Sequence, residues 1–251
     1  LDDPYGKRLA AQTELPVVTL SRLDTTATWH YASIASDYVG ASISIRGSGG
    51  ILIEGKTALH GGFNYDNLLM AVAIAVESGI DPIDIAAILP TLTGAVGRLE
   101  AVRLGQNFTA LVDYAHSPDA VKRVLETAAE ITDGKVIAVL GCGGDRDKTK
   151  RTLMGQALHE GADIAIYTSD NPRSEKAEDI LVQMVLDIDV APPSEVIVDR
   201  AQAIRTAVNL AQAGDVVMVL GKGHEKGQEV NGQIHEFDDR IELAKAIEDK
   251  K

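Results

Sequence analysis

Our prediction of the fold class starts from residues 136–151, VIAVLGCGGDRDKTKR. Residues 136–140 form an apolar, β-branched run of the length typical of a fully buried strand. Gly141-Cys142-Gly143-Gly144 follows, where the backbone can turn sharply and leave space for a ligand. Six of the next seven residues are charged. A buried strand, a flexible turn and dense charge together indicate one wall of a binding site.

Apolar strands and helical segments alternate on both sides of this stretch. Strands are predicted at 109–112, 136–140, 164–167, 196–198 and 216–220, and helices at 118–131, 151–160, 178–186 and 201–213. Strands alternating with helices of this length predict an α/β domain with a mostly parallel sheet and right-handed crossovers.

Each predicted strand is followed by a polar, glycine-rich or histidine-bearing loop. The loops are residues 113–117 (DYAHS), 141–151, 169–175 (SDNPRSE), 199–200 (DR) and 221–225 (GKGHE). Ligands of open parallel sheets bind beyond the carboxyl ends of the strands. The sequence therefore predicts a binding site at this edge of the sheet.

The first part of the chain has a different pattern. A short strand is predicted at 15–20, and alternation over 29–59 predicts antiparallel strands. A helix is predicted at 64–79, and a second helix from Asp81-Pro82 to about residue 89. Turn formers at 90–97 predict a linker, so the domains are expected at 1–97 and 98–251.

Composition excludes several classes of function. The 251-residue chain has a net charge of −13, which argues against nucleic acid or an anionic membrane as its main partner. Cys142 is the only cysteine, and no apolar run reaches 18 residues, so we expect a cytoplasmic monomer without membrane insertion. The start, LDDPYGKRLA, lacks Met and resembles the interior of a domain, so we expect a piece of a longer chain.

Two nucleotide-binding patterns are weak here. Residues 50–57, GILIEGKT, satisfy the phosphate-loop pattern G-x-x-x-x-G-K-[ST], but their four variable positions favour a strand rather than a loop before a helix. We therefore reject a phosphate loop at this position. The glycine-rich turn at 141–144 also lacks the G-x-G-x-x-G spacing of a dinucleotide site.

The loop Asp170-Asn171-Pro172-Arg173 places an anion, an amide and a guanidinium within four residues. Such a set could hold a zwitterion, although an ordinary Asn-Pro turn is the alternative. Arg146, Lys148, Lys150 and Arg151 could bind phosphate or carboxylate. His116 and His224 fit hydrogen-bonded turn residues better than catalysts on this pattern alone. Cys142 is expected to be a packing residue, and no histidine spacing indicates a zinc site.

These motifs resemble the Mur ligase family of peptidoglycan synthesis along essentially the whole chain. The matching segments are LDDP-Y-G, FNYDN, GRLE, DYAHSPDA, GCGGDRDKTKR, SDNPRSE, GKGHE and Phe237-Asp238-Asp239-Arg240. The resemblance implies the last part of a central ATP-binding domain at 1–97, followed by a C-terminal Rossmann-like amino-acid-binding domain. It also implies that the UDP-binding domain, the true phosphate loop and the Mg²⁺ ligands lie outside this chain.

The resemblance implies roles for particular residues. The pocket for meso-diaminopimelate would comprise Arg146, Asp170, Asn171, Pro172, Arg173, Gly221 and Glu225. ATP would be contacted by Asn67 near adenine, Arg98 on phosphate and Asp113 on ribose, with Arg98 and His116 as catalytic residues. No metal ligand is implied within the chain.

The activity implied is ATP-dependent addition of meso-diaminopimelate to UDP-MurNAc-L-Ala-D-Glu through an acyl phosphate, with the linker before Arg98 as a hinge. On this basis we expect the chain alone to be inactive. Three alternatives remain open. They are a lysine-adding ligase of the same family, a non-catalytic amino-acid-binding module and an NAD-type oxidoreductase.

Overall fold

The computed structural model describes residues 1–37 and 39–250 and divides the chain into two compact units, Leu1–Gly94 and Ala95–Lys251. The division lies within the predicted linker at 90–97. That the first unit is part of a central ATP-binding domain stays a prediction. No helix in the described part of the chain is both long enough and apolar enough to cross a membrane.

The first unit combines a small sheet with helices. Its elements are α1 (Pro4–Gln12), β1 (Leu20–Ser21), β2 (Trp29–Asp37), β3 (Gly40–Arg46), β4 (Leu52–Thr57), α2 (Gly62–Glu77) and α3 (Pro82–Ile88). The sheet order is β1-β2-β3-β4, and β2, β3 and β4 pair antiparallel, as the alternating pattern predicted. Both predicted helices are present, and the Asp81 side chain caps α3 by accepting the Ile83 N–H at 2.8 Å.

The predicted strand at 15–20 is wrong except at its end, because only Leu20–Ser21 pairs with β2. Val17 and Val18 are exposed, so this apolar run does not enter the core. Pro16 also lacks the N–H that a strand would donate. The rejection of a phosphate loop at 50–57 is confirmed, since β4 spans Leu52–Thr57 and pairs with β3.

The second unit is a sheet with helices on both faces. Its elements are β5 (Glu100–Ala101), β6 (Thr109–Asp113), α4 (Pro118–Glu130), β7 (Val136–Cys142), α5 (Thr149–Gly161), β8 (Ile164–Ser169), α6 (Ala177–Met184), β9 (Glu195–Val196), α7 (Arg200–Leu210), β10 (Val216–Leu220), β11 (Gly227–Val230), β12 (Gln233–Glu236) and α8 (Asp239–Lys250). The predicted α/β class and the four predicted helices are confirmed. Four of the five predicted strands are confirmed, whereas the one at 196–198 is wrong except at its start, because only Glu195–Val196 pairs with β8. The elements β5, β11, β12 and α8 were not predicted.

The sheet order is β5-β6-β10-β7-β8-β9, and only β5 runs antiparallel to its neighbour. Helices α4, α5 and α6 pack on one face, and α7 and α8 pack on the other. Of the strands in this sheet, β10 comes last in sequence, but it lies between β6 and β7. Its Leu220 is level with Asp113 of β6 on one side and with Leu140 of β7 on the other. The loops that follow these three strands therefore begin side by side.

Candidate functional site

A cavity of about 430 Å³ lies beyond the carboxyl ends of the strands in the second unit. It is lined by Met154 of α5 and by residues from four of the predicted loops. The loop residues are Tyr114, His116, Gly141, Cys142, Gly143, Arg146, Asp147, Lys150, Arg151, Asp170, Asn171, Arg173, Gly221 and Glu225. Six of the seven predicted diaminopimelate residues line it, the exception being Pro172. The central position of β10 brings Gly221 and Glu225 to the loops that follow β7 and β8.

The loop after β8 is held by the β11–β12 hairpin. Gln228 Nε2 donates to Ser169 Oγ at 2.9 Å and to the Asp170 carbonyl at 2.6 Å. The Arg173 N–H donates to the Glu229 carbonyl at 2.9 Å, and the Asn231 N–H donates to the Arg173 carbonyl at 2.7 Å. These bonds stabilise Arg173 in a left-handed conformation, with φ of 52°.

Asn171 and Glu225, which line the cavity, form a hydrogen-bonded set with the buried Lys222. Asn171 Nδ2 donates to Glu225 Oε2 at 2.8 Å, and its Oδ1 accepts Lys222 Nζ and the Glu229 N–H, both at 3.0 Å. Lys222 Nζ also lies 3.2 Å from Glu225 Oε2. The Lys222 side chain is fully buried, whereas that of Glu225 is 35% exposed.

Two of the carboxylates that line the cavity, Asp170 and Glu225, differ in electrostatics. Burial raises the pKa of Asp170, although the positive charges of Arg200 and Lys222 oppose this effect. Burial also acts to raise the pKa of Glu225, but the hydrogen bond from Asn171 and the charge of Lys222 outweigh it, so that pKa is lowered. Glu225 is therefore the carboxylate better suited to bind a cation near neutral pH.

Two arginines supply positive charge to the cavity. Arg173 Nη1 donates to the Gly144 carbonyl at 2.8 Å, and its Nε lies 3.2 Å from Glu229 Oε2. Arg146 is exposed, and in the described part of the chain no carboxylate lies within ion-pair distance of it. Both guanidinium groups therefore retain donors for a bound anion.

Pro172 and Arg151 stabilise the wall of the cavity through their contacts with neighbouring protein groups. The Pro172 carbonyl passes so close to Gly144 that a Cβ there would lie 1.9 Å from the oxygen. Arg151 was grouped with the anion-binding candidates, but its side chain is 1% exposed and donates to Glu175, Gln183 and the Gly143 carbonyl. These contacts anchor the glycine-rich turn to the loop after β8.

Of the residues in the second unit that are predicted to act on ATP, Arg98 and His116 are exposed and Asp113 is buried. Arg98 is exposed and stacks over the Tyr114 ring at 5.1 Å, and His116 lies against the same ring at 4.5 Å. Asp113 is buried, with its oxygens accepting the Leu99 and Ala115 N–H groups at 2.8 Å, and burial raises its pKa. Its contact with ribose stays a prediction. Asn67 lies on the exposed side of α2 in the first unit, where a contact with adenine also stays a prediction.

Cys142 is buried beside Met154, with the sulfur atoms 3.6 Å apart, and burial raises the pKa of its thiol to about 12. This environment confirms a packing role. Among residues 1–37 and 39–250, no group of three or more His, Cys, Asp or Glu side chains is arranged to hold a metal ion.

Sequence reasoning missed Lys222 and Gln228 as parts of the site. Lys222 lies in a glycine-rich loop, and a lysine in such a loop is usually exposed to solvent. Gln228 lies on a short polar hairpin with no apolar alternation to reveal it. Only their contacts with residues 169–171 show that they support the cavity wall.

The fold occurs in known ligases. A solved structure titled UDP-N-acetylmuramoyl-L-alanyl-D-glutamate–2,6-diaminopimelate ligase is 38% identical, with a TM-score of 0.77 over 99% of this chain and 52% of that one. A folylpolyglutamate synthase of Mycobacterium tuberculosis, 21% identical with a TM-score of 0.58, shares the fold over 77% of this chain and 45% of its own.

Sequence comparison defines the family. A family model described as "Mur ligase, glutamate ligase domain" matches residues 97–223, about half of the chain. The chain belongs to the Mur ligase family, which confirms the resemblance found in its motifs.

Curated relatives named UDP-N-acetylmuramoyl-L-alanyl-D-glutamate–2,6-diaminopimelate ligase include proteins of Streptomyces coelicolor and Bacillus cereus. The Streptomyces coelicolor protein is 44% identical over 98% of this chain and 50% of its own length. The Bacillus cereus protein is 46% identical over 75% of this chain and 38% of its own. The chain thus spans half or less of the length of these relatives.

Proposed function

We propose that the chain binds meso-diaminopimelate as part of an ATP-dependent ligase that adds this amino acid to UDP-MurNAc-L-Ala-D-Glu in the cytoplasm. The observation that carries the proposal is that guanidinium groups and carboxyl groups lie around one cavity. Among them, Arg146 and Arg173 are the positive groups and Asp170 and Glu225 the acidic groups that we assign to the amino acid. The names of the relatives support the same amino acid.

Charge complementarity favours diaminopimelate over lysine. The side-chain end of diaminopimelate carries both an ammonium and a carboxylate. The guanidinium of Arg173 is suited to a two-pronged contact with that carboxylate, and Glu225 is suited to the ammonium. Lysine has only the ammonium at this end, so it would offer no carboxylate to the free donors of Arg146 and Arg173.

The cavity also has a suitable size. Its volume of about 430 Å³ lies within the range of about 300–1,000 Å³ that is usual for small-molecule sites. The residues that line it all belong to the second unit. Amino-acid binding can therefore be tested separately from ligation.

ATP would supply the phosphoryl group that activates the carboxylate of the UDP-linked substrate as an acyl phosphate. Arg98 fits a contact with phosphate because it is exposed and, among the described residues, no carboxylate pairs with it. Together with His116, it would orient the reacting groups and stabilise negative charge. Asn67 and Asp113 remain the candidates for adenine and ribose, and Mg²⁺ would bind to residues outside this chain.

Calorimetry with meso-diaminopimelate, lysine and NAD tests the proposal. We expect diaminopimelate to bind and lysine to bind at least about tenfold more weakly, because a charged hydrogen bond contributes about 1.5–3 kcal/mol. Equal binding of both amino acids would contradict the assignment of the carboxylate contact. Binding of NAD alone would favour the oxidoreductase alternative. Binding of diaminopimelate by a full-length protein that shows no ATP-dependent ligation would favour a binding module.

A further inference from the structure

We propose that Lys222 is a positioning residue of the amino-acid pocket, which fixes the orientation of both the Asn171 amide and the Glu225 carboxylate. The inference rests on the proposed function and adds to it a residue that does not itself line the cavity. Lys222 lies between two glycines at the carboxyl end of β10, and its side chain has no exposed surface. A fully buried lysine is rare unless its charge is compensated.

The contacts of Lys222 determine which way the Asn171 amide faces. Asn171 Oδ1 accepts two donors, Lys222 Nζ and the Glu229 N–H, each at 3.0 Å. A flipped amide would place its NH₂ group against these two donors. The amide therefore has one favourable orientation, in which Nδ2 donates to Glu225 Oε2 at 2.8 Å.

The same contacts determine which oxygen of Glu225 remains for a ligand. Oε2 accepts both Asn171 Nδ2 and Lys222 Nζ, at 2.8 and 3.2 Å. In the described part of the chain, no hydrogen bond engages Oε1. Since Glu225 lines the cavity, Oε1 is the oxygen that would accept the ammonium of the bound amino acid.

Lys222 also acts on the charge of Glu225. Together with the Asn171 hydrogen bond, its positive charge lowers the pKa of Glu225 against the effect of burial. The other charged groups that act on this carboxylate are Arg173 and Arg200, which favour the ionised form, and Asp170, which opposes it. Loss of Lys222 would therefore raise the pKa of Glu225 as well as free its orientation.

The test compares Lys222→Met with Lys226→Met in the full chain. Lys226 lies in the same loop and carries the same charge, but its side chain is exposed, so it serves as a matched control. We expect Lys222→Met to weaken meso-diaminopimelate about 10- to 100-fold in calorimetry, while Lys226→Met changes it less than about threefold. Carbon-13 NMR of the Glu225 carboxyl group should show a higher titration midpoint only in Lys222→Met.

A double-variant cycle with Glu225→Gln separates positioning from a general effect on the fold. If Lys222 acts through Glu225, Lys222→Met adds little further loss in the Glu225→Gln background. The double variant also removes the carboxylate that Lys222→Met leaves without its cationic partner, so it can be compared with Glu225→Gln if Lys222→Met alone does not fold. An equal factor of loss in both backgrounds, or unchanged binding by Lys222→Met, would overturn the proposal. Failure of the wild type to bind diaminopimelate would instead reject the proposed function itself.

Discussion

Arg200 and Asp239 form a two-pronged ion pair with no exposed side-chain surface, in which Nε–Oδ1 and Nη2–Oδ2 are both 2.7 Å. Arg200 also donates to the Ser169 carbonyl at 3.1 Å and to the Leu220 carbonyl at 2.9 Å. These carbonyls end β8 and β10, immediately before Asp170 and Gly221. The pair therefore joins the start of α8 to the two strand ends that present much of the cavity.

Arg200→Met should lower the free energy of unfolding by about 3–5 kcal/mol, because it leaves Asp239 buried without a partner. Adding Asp239→Leu should recover part of that loss, since the double variant buries no charge. Urea denaturation measures both effects. Lys245→Met is the control, because Lys245 pairs with Glu242 at the surface and should contribute less than about 1 kcal/mol. A loss below about 1 kcal/mol in Arg200→Met would show that the buried pair is not stabilising.

Arg173→Ala should weaken meso-diaminopimelate about 10- to 100-fold but lysine less than about threefold, because only the former offers a side-chain carboxylate. Calorimetry with both amino acids measures this difference. Arg123→Ala, which removes an exposed arginine on α4, should change neither affinity. Equal losses for the two ligands would mean that Arg173 supports the loop without contacting the carboxylate.

Glu175→Gln should change the pH dependence of stability. Hydrogen bonds from Arg151, from the Asp145 N–H and from Lys148 lower the pKa of Glu175 in the folded state. A carboxyl group with a depressed folded-state pKa stabilises the protein above its unfolded pKa of about 4.3, and this contribution is lost as the pH falls towards the folded-state value. The wild type should therefore be more stable than Glu175→Gln at pH 7, with the difference shrinking below about pH 4.5.

Urea denaturation of both proteins at several pH values checks the Glu175 prediction. Glu126→Gln on the exposed face of α4 is the control and should follow the wild type throughout. A difference between wild type and Glu175→Gln that stays constant from pH 7 to pH 3 would show that ionisation of Glu175 does not underlie its contribution.

Gly144→Ala should separate the two loops that form one wall of the cavity. A Cβ at this position would lie 1.9 Å from the Pro172 carbonyl oxygen, so the backbone of one loop must move. We expect a destabilisation of about 1–3 kcal/mol, as for other overpacked sites, together with weaker binding of diaminopimelate. Thermal unfolding and calorimetry measure the two effects.

Gly6→Ala in α1 provides the control for Gly144→Ala. The nearest atom to its added Cβ is 4.0 Å away, and alanine favours a helix, so its stability should be unchanged or higher by up to about 1 kcal/mol. If Gly144→Ala behaves like Gly6→Ala, the contact with Pro172 does not constrain the wall.

Much of the fold could be predicted from local pattern. Residues 136–140 are apolar, with three β-branched side chains, and they form part of a strand that is buried at every position. The match at 50–57 was correctly excluded as a phosphate loop, because alternation of side chains is a local property of the chain. The two-residue strand β5 and the polar hairpin β11–β12 escaped prediction, since neither has a sufficiently long apolar pattern.

Local sequence pattern is enough to show which residue types follow the strands, and thus that Arg146, Asp170, Arg173 and Glu225 could share one edge of a parallel sheet. The position of β10 between β6 and β7 became known from the folded chain, because strand order depends on contacts distant in the chain. That order brings Glu225 to Asn171, 54 residues away in sequence. Tertiary packing likewise buried Lys222 and Arg151 while leaving Arg146 exposed, because burial depends on which oppositely charged and hydrogen-bonding groups surround each cation.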